Sequence, residues 1–324
     1  MAGNELCGSG ISARVDAKQY AKDTIALKHL VAQIYPDASS RPKVLGPAGF
    51  YDQQWFNSYL NATGKDVVDG VTHHIYNLGA GADKDLIKKI QDPQFLSQVA
   101  QTFKSVASSV ANVAPWSQAW VGESGGAYNS GSKEVSHTFV NGFWYLDQLG
   151  MTSTFNHTVY CRQTLIGGNY GLLNTTTFIP NPDYYGALLW HRLMGRNVLA
   201  VSHNGSPYLR AYGHCSKTKP GITILFINMS NSTSFDVKVV NVGTQDARKG
   251  DGDSKQREEY HLTPQNGNIQ SDVVLLNGTP LKLSEELKIP EMKAKLENSN
   301  SSLTIAAYSI VYVTIRDFNS PACG

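Results

Sequence analysis

The first 196 residues alternate between two patterns of apolar and polar positions. Apolar residues in 16–35 fall near the i, i+3, i+4, i+7 spacing of a helix that lies on a core, and Pro36 ends this helix. Short apolar runs at 43–45, 68–76, 120–122 and 152–161 then alternate with helical stretches at 53–61, 93–113, 135–149 and 184–196. Strand alternating with helix predicts parallel βαβ units.

After residue 197 the pattern changes to short β-rich runs separated by Gly, Asn, Pro and Ser. These runs lie at 198–202, 208–212, 223–228, 235–240, 273–276 and 303–315. The pattern predicts an antiparallel β-sandwich, and the strongly polar segment 245–259 predicts a loop. We therefore expect two domains, an α/β domain at 1–196 and a β-sandwich at 197–324.

Composition narrows the classes of function. The chain has 324 residues, of which 41% are hydrophobic and 17% are charged, so it can bury a core and is not disordered. Its net charge of +2 supplies no broad basic field, which argues against nucleic acid as a partner. Apolar runs of about 18 residues do not occur, so we expect no membrane-spanning helix.

Two glutamates stand where α/β barrel enzymes place catalytic groups, at the carboxyl ends of strands. Glu123 directly follows the third predicted strand, and Glu5 lies near the N-terminus. His73, His74 and Tyr76 close the second strand. In glycoside hydrolysis one carboxyl group protonates the leaving oxygen, while a second attacks the anomeric carbon or activates water. Taken alone, each glutamate is more typical of an exposed carboxylate, and strand-end histidines are more often structural.

A metal-dependent hydrolase that uses His73 and His74 is a further alternative. It is disfavoured because no carboxylate or third histidine lies at ligand spacing from the pair. We therefore expect neither a metal nor an organic cofactor.

Several longer motifs occur together in a fixed order. They are VGESGGAYNSG at 121–131, HTF at 137–139, GFWYLDQLG at 142–150, RQ at 162–163, GGNY at 167–170, PDYY at 182–185 and YGHC at 212–215. Together they resemble the nucleophile region and following sequence of the heparanase family, glycoside hydrolase family 79. The segment GNELCG at 3–8 resembles the acid/base motif of the plant branch, which comprises heparanase-like proteins and β-glucuronidases.

This resemblance implies a retaining glycosidase with Glu5 as general acid/base and Glu123 as nucleophile. It also implies that a histidine and Tyr76 orient the nucleophile. We prefer His74 to His73, because a His-x-Tyr spacing puts both side chains on one face of a strand. Further substrate-binding residues implied by the resemblance are Asn4 at the sugar 2-hydroxyl, and Tyr128, Asn129, Ser130, Tyr170 and, more weakly, Gln163 around the uronic acid carboxylate.

The resemblance also implies the C-terminal half of a (β/α)8 TIM barrel followed by an antiparallel β-sandwich. In family members a leader, the first barrel strands and one sandwich strand precede the acid/base motif, which here begins at residue 3. We therefore interpret the chain as N-terminally truncated. The alternative to an enzyme is a catalytically inactive carbohydrate-binding or regulatory fragment.

The expected substrate is a carbohydrate that contains glucuronic acid, or a small glucuronide. No Lys or Arg lies between Glu5 and Arg14, so a sulfated polymer would lack charge-assisted contacts near the acid/base motif. A less sulfated glucuronide is therefore favoured.

The cysteines and asparagines bear on the compartment. Cys7, Cys161, Cys215 and Cys323 show no CxxC and no zinc spacing. Cys323 could pair with a distant cysteine such as Cys215, or all four could be free thiols. The resemblance implies the Cys215–Cys323 pair.

Eight of the 22 asparagines head an N-x-Ser/Thr triplet, against about three expected by chance, which favours the secretory pathway. Six of the triplets are not followed by proline, and their asparagines are the expected glycosylation sites: Asn61, Asn156, Asn174, Asn228, Asn231 and Asn300. The N-terminal residues have no charged segment followed by an apolar run, so we expect no signal peptide in this sequence. The full-length parent is therefore expected to be extracellular, vacuolar or lysosomal, with peripheral membrane association as an option.

Overall fold

The structure is a computed structural model. It describes residues 3–8, 11, 13–218, 220–241, 256–299, 301–316, 318 and 320–323. Within these ranges, none of the helices is both long and apolar enough to cross a membrane. The chain divides into two compact units, one formed by Met1–Asn77, Ser97–Gly126 and Met151–Thr164, and the other by Leu78–Leu96, Ala127–Gly150 and Leu165–Gly324.

Seven α-helices occur in the described part of the chain. They are α1 (Ala17–Ile34), α2 (Gln53–Thr63), α3 (Leu86–Ile90), α4 (Pro93–Ser97), α5 (Ala100–Val113), α6 (Asn141–Thr154) and α7 (Pro182–Leu193). The strands up to residue 199 are β1 (Leu45–Phe50), β2 (Gly70–His74), β3 (Gly79–Ala80), β4 (Ala119–Ser124), β5 (Ala127–Tyr128), β6 (His157–Arg162) and β7 (Met194–Leu199). Those that follow are β8 (Leu209–Ser216), β9 (Ile222–Asn228), β10 (Phe235–Val237), β11 (Gln256–Pro264), β12 (Val274–Leu276), β13 (Thr279–Pro280), β14 (Lys295–Asn298), β15 (Leu303–Ile305) and β16 (Ser309–Ile315).

The first unit contains a four-stranded parallel sheet in the order β1-β2-β4-β6. The parallel pairing that the alternating pattern predicts is therefore confirmed. Helix α1 begins at its cap Asp16, whose carboxylate accepts the N–H groups of Lys18 and Gln19 and so satisfies free donors of the first turn. Tyr20 of α1 and Phe56 of α2 are buried in the core that these two helices share with the sheet.

The second unit contains an eight-stranded sheet in the order β13-β12-β11-β16-β9-β8-β7, with β14 also paired to β11. Its described pairings are antiparallel, as the β-rich runs predict. A second antiparallel pair, β10 and β15, packs on the same apolar core as β9 and β16. Phe226 of β9, Ile305 of β15 and Val311 of β16 are buried in this core.

The compact units do not follow the predicted division at residue 196. Residues 141–150 of α6 and the whole of α7 belong to the second unit, where the antiparallel sheet packs directly on them. The Tyr212 ring lies so close to Gly150 that a Cβ there would collide with it. The Tyr312 hydroxyl donates to the Gly186 carbonyl over 3.0 Å in the buried interior.

The loop prediction for 245–259 is wrong at its C-terminal end, where β11 begins at Gln256. The charged side chains there are buried but compensated. The Arg257 guanidinium pairs with Glu259 and also donates to the Ser301 and Ser302 carbonyls over 2.7 and 2.8 Å. Buried charges are tolerated when they are paired in this way, so polarity alone misidentified the segment. Residues 245–255 lie outside the described residues.

The predicted glycosylation sites fall into two groups. Asn61, Asn156, Asn174 and Asn231 are exposed, whereas Asn228 is fully buried in β9. Asn228 is therefore a poor acceptor in this fold. Asn300 lies outside the described residues.

The disulfide implied by the resemblance is present. Cys215 on β8 is bonded to Cys323, while Cys7 is a buried free thiol and Cys161 an exposed one. The bond ties the C-terminal end of the described chain to the large sheet.

We expect Cys323→Ser to lower the free energy of unfolding by about 2–4 kcal/mol, because the bond joins residues 108 positions apart and restricts the unfolded chain. Urea denaturation followed by circular dichroism measures the loss. The matched control is Cys161→Ser, which removes an exposed free thiol. Equal unfolding midpoints for Cys323→Ser and the unchanged chain would contradict this stabilising role.

Candidate active site

The carboxyl ends of two parallel strands place functional side chains next to each other. In the β2–β4 pair, His74 lies opposite Glu123, and the Ile75 N–H donates to the Glu123 carbonyl over 3.0 Å. In the β1–β2 pair, Phe50 lies opposite His74. Neighbouring parallel strands end at the same edge of the sheet, so these side chains share one site.

Glu5 reaches this edge from a loop that hydrogen bonds hold in place. Its backbone N–H donates to the Ala48 carbonyl over 2.7 Å, and its φ of 54° is left-handed. A non-glycine residue in this conformation costs about 1–3 kcal/mol and is often found at functional sites. A Cβ on Gly49 would collide with Cys7 Sγ and lie 3.2 Å from Glu5 Cα, so this close approach requires glycine.

The side chains form a compact hydrogen-bonded cluster. His74 Nδ1 lies 2.8 Å from Glu5 Oε1 and 3.7 Å from Glu123 Oε2. The Tyr76 hydroxyl donates to Glu123 Oε1 over 2.6 Å. The His74 side chain is only 2% exposed, against 12% for Glu5 and 26% for Glu123. The histidine is therefore enclosed, while both carboxylates still meet solvent.

The two carboxylates face each other at short range. One oxygen of Glu5, one oxygen of Glu123 and a His74 ring nitrogen all lie within 4.8 Å of one another. Retaining glycosidases hold their carboxyl groups about 5–5.5 Å apart, and inverting enzymes hold them about 6.5–9.5 Å apart. The arrangement suits direct attack by one carboxylate. The same three atoms are also close enough to one another to bind one metal ion.

His74, the last residue of β2, and Tyr76, two residues farther along the chain, both approach Glu123. The shorter histidine contact, however, is to Glu5. Tyr76 therefore hydrogen bonds directly to Glu123, whereas His74 lies between the two carboxylates.

His73 points to the other face of β2 and packs in the core. Its Nε2 lies 3.0 Å from Nε2 of His157, and both rings contact Phe103. Burial, followed by the His157 charge, lowers the pKa of His73 well below its usual value. Burial lowers the pKa of His157 to about 4. Both rings are therefore neutral near neutral pH, and the structural interpretation of His73 fits this environment.

The remaining predicted residues lie in two places. In the first unit, Asn4 is exposed beside Glu5, and the Gln163 N–H donates to the Ser124 carbonyl over 2.9 Å just after β6. In the second unit, Asn129 and Ser130 have left-handed φ values of 60° and 68°.

Two aromatic residues accompany that left-handed turn in the second unit. Tyr170 is buried and Tyr128 is half exposed. The Ser130 carbonyl accepts the Asn169 N–H over 2.7 Å, which links the segments that carry the two tyrosines.

One aromatic residue at the site was not predicted. The Phe50 ring lies 6.4 Å from the rings of both His74 and Tyr76, and it is partly exposed. The strand predicted at 43–45 ends five residues before Phe50, so the sequence pattern does not place Phe50 at the end of a strand. The cause is the Gly46-Pro47 pair, which reads as a break in sequence but lies inside β1.

Comparison with known proteins gives consistent relatives. Residues 1–150 match the sequence model of the family described as Glycosyl hydrolase family 79, N-terminal domain. Heparanase-like protein 1 of Arabidopsis thaliana is 49% identical over 99% of this chain and 63% of its own length. Baicalin-beta-D-glucuronidase of Scutellaria baicalensis is 40% identical over 96% of this chain and 57% of its own length. The chain thus spans less than two thirds of these relatives.

Among solved structures, the GH51 alpha-L-arabinofuranosidase from Thermotoga petrophila RKU-1 matches with a TM-score of 0.69. It is 14% identical, and the match covers 97% of this chain and 65% of that protein. At this identity the likeness concerns the fold alone, and the matched structures are glycoside hydrolases with TIM-barrel folds.

We expect the free energy of unfolding to fall as the pH falls from about 6.5 toward 4. Over this range the unfolded chain takes up protons on His73 and His157, while in the folded chain His73 stays neutral and His157 takes up its proton only as the pH approaches its pKa of about 4. His157→Phe removes one such proton uptake, so its stability should change less steeply, by up to about 1.4 kcal/mol per pH unit.

Urea unfolding at several pH values measures this slope. The matched control is His29→Gln, which removes an exposed histidine of α1. If both variants changed the slope equally, the buried pair would not be its source.

Proposed function

Because the chain belongs to glycoside hydrolase family 79, we propose that it is a retaining glycosidase that cleaves β-glucuronide linkages. Glu5 is the general acid/base and Glu123 is the nucleophile. The observation that carries the proposal is the close opposition of these two carboxylates around His74 at one edge of a parallel sheet.

The proposed reaction has two steps at the anomeric carbon. Protonated Glu5 gives its proton to the glycosidic oxygen, while Glu123 attacks the anomeric carbon and forms a covalent glycosyl ester. Glu5 then takes a proton from water, which attacks the same carbon and releases Glu123. Since Tyr76 holds Glu123 Oε1, the other oxygen, Oε2, is the attacking atom.

His74 has a positioning role in this scheme. A ring nitrogen 2.8 Å from Glu5 and 3.7 Å from Glu123 holds both carboxylates in their mutual geometry. Being almost fully buried, the ring cannot swing into solvent when substrate arrives. Asn4, beside the acid, remains the proposed contact to the 2-hydroxyl.

The proposed substrate is a carbohydrate or small molecule that carries β-linked glucuronic acid. Tyr128, Asn129, Ser130, Tyr170 and, more weakly, Gln163 remain the proposed residues for its carboxylate. The proposed fold is a part of a (β/α)8 barrel for the parallel sheet and a β-sandwich for the antiparallel sheets. The disulfide supports passage through an oxidising secretory compartment, from which extracellular, vacuolar and lysosomal destinations follow.

We expect Glu123→Gln to abolish hydrolysis of aryl β-glucuronides, with a loss of at least about 100-fold, because no glycosyl ester can form. Glu5→Gln should behave differently with two leaving groups. An alkyl glucuronide, which needs protonation, should lose about 100-fold or more in rate. A nitrophenyl glucuronide should still show a burst of nitrophenol, followed by slow turnover that azide accelerates.

Stopped-flow absorbance measures the burst, and proton NMR identifies the anomer released first, which should be β. The matched control is Glu134→Gln, an exposed glutamate of the second unit. Undiminished activity of Glu123→Gln, or an α product, would refute the retaining mechanism.

Activity lost to a chelator and restored by a divalent ion would assign the cluster of Glu5, His74 and Glu123 to metal chemistry instead. Binding of the glucuronide by the folded chain without hydrolysis would favour the carbohydrate-binding alternative.

A further inference from the structure

A cavity of about 510 Å³ lies in the second unit and contains none of the candidate active-site residues. Its walls combine aromatic and polar side chains, chiefly Tyr208, Phe235, Tyr308, Gln91, Ser206 and Asn231. Ligand cavities commonly measure about 300–1,000 Å³ and are lined in this mixed way. A pyranose ring matches such walls, because it presents C–H groups on its faces and hydroxyl groups at its edge.

The cavity wall includes an exposed glycosylation triplet. Asn231, Ser232 and Thr233 follow β9, and both Asn231 and Thr233 line the cavity. The turn is held from within, because Ser230 Oγ accepts the Thr233 N–H over 3.0 Å. The acceptor asparagine therefore lies on an ordered turn at the cavity.

The adjacent triplet, which begins at Asn228, has the opposite environment. Asn228 Nδ2 donates to the carbonyls of Thr233, Ile305 and Ala306 over 2.8, 3.1 and 2.8 Å. Its Oδ1 accepts the Ser230 N–H over 2.9 Å. A sugar on this nitrogen would break that network, so of the two adjacent triplets the fold leaves only Asn231 available.

The cavity walls are fixed before any ligand binds. The Gln91 amide donates to the Tyr308 hydroxyl over 2.7 Å, and the Tyr308 ring stacks on Phe143. The Tyr308 N–H donates to the Ser230 carbonyl over 2.9 Å, which ties this wall to the turn that carries Asn231. Preformed walls lower the entropic cost of binding.

We propose that Asn231 carries an N-linked glycan whose first N-acetylhexosamine occupies this cavity and packs against Tyr208. In the modification, Asn231 Nδ2 attacks C1 of a lipid-diphosphate-linked oligosaccharide. The N–C1 bond forms, the C1–O bond to phosphate breaks, and the amide proton leaves with the lipid diphosphate. The glycan thereby becomes part of the packing of the second unit.

The first test measures how readily the glycan is removed. For this test the full chain is expressed in plant cells with an added, cleavable secretion leader. Peptide mass spectrometry then gives the fraction of each asparagine that carries a glycan. We expect a peptide amidase to release the Asn231 glycan from native protein at least about 10-fold more slowly than the glycan at exposed Asn61. Denaturation should remove the difference.

Tyr208→Ala tests whether the cavity, and not the turn that carries Asn231, protects the glycan from release. Tyr208 is half exposed, and its backbone N–H and carbonyl make its hydrogen bonds to Ser206 and Met229, so the substitution preserves them. The Asn231 glycan should then be released at the Asn61 rate. An unoccupied Asn231, equal release rates in the unchanged chain, or unchanged resistance in Tyr208→Ala would each overturn the proposal.

A second measurement does not depend on Tyr208. Trimming the glycans to one sugar with an endoglycosidase keeps the residue in the cavity, so the melting temperature should stay within about 1 °C of the untrimmed value. Asn231→Gln lacks that sugar and should melt about 2–4 °C lower, whereas Asn61→Gln should not. If the trimmed protein melted at the temperature of Asn231→Gln, the first sugar would not fill the cavity.

Discussion

The hydrogen bond between His74 and Glu5 is the contact on which the candidate active site depends. Glu5 lies on a loop, and its side chain would be free to turn away from the sheet without this partner. The Ala48 carbonyl, the left-handed backbone of Glu5 and the glycine at 49 all serve to bring the carboxylate to within 2.8 Å of a histidine that cannot move. Opposition of the two carboxylates follows from that placement.

Adjacent histidines on β2 have opposite environments because a strand alternates its faces. His74 lies between the carboxylates, whereas His73 is buried against His157 and Phe103. The same strand therefore links an acid-sensitive part of the core to the candidate site.

Buried polar side chains organise the second unit as well. Asn228 holds its turn with three donated hydrogen bonds, and Arg257 holds the segment before β15 through its carbonyl groups. Each is fully partnered, which is the condition for burying such groups at low cost. The rigidity they provide keeps the turn with Asn231 and the neighbouring cavity wall in one arrangement.

The sequence by itself determined the kinds of elements and the candidate chemistry. Periodicity indicated parallel βαβ units and antiparallel strands, and the family resemblance carried by the ordered motifs made Glu5 and Glu123 candidates and implied the cysteine pair. These signals are local or carried by residue identity, so they survive without coordinates. Only the tertiary structure decided what depends on contacts between distant segments: the burial of Asn228, the continuation of β1 through Gly46-Pro47 to Phe50, and the closer approach of His74 to Glu5. Burial and side-chain distance arise from packing across the whole chain, and a linear pattern does not record them.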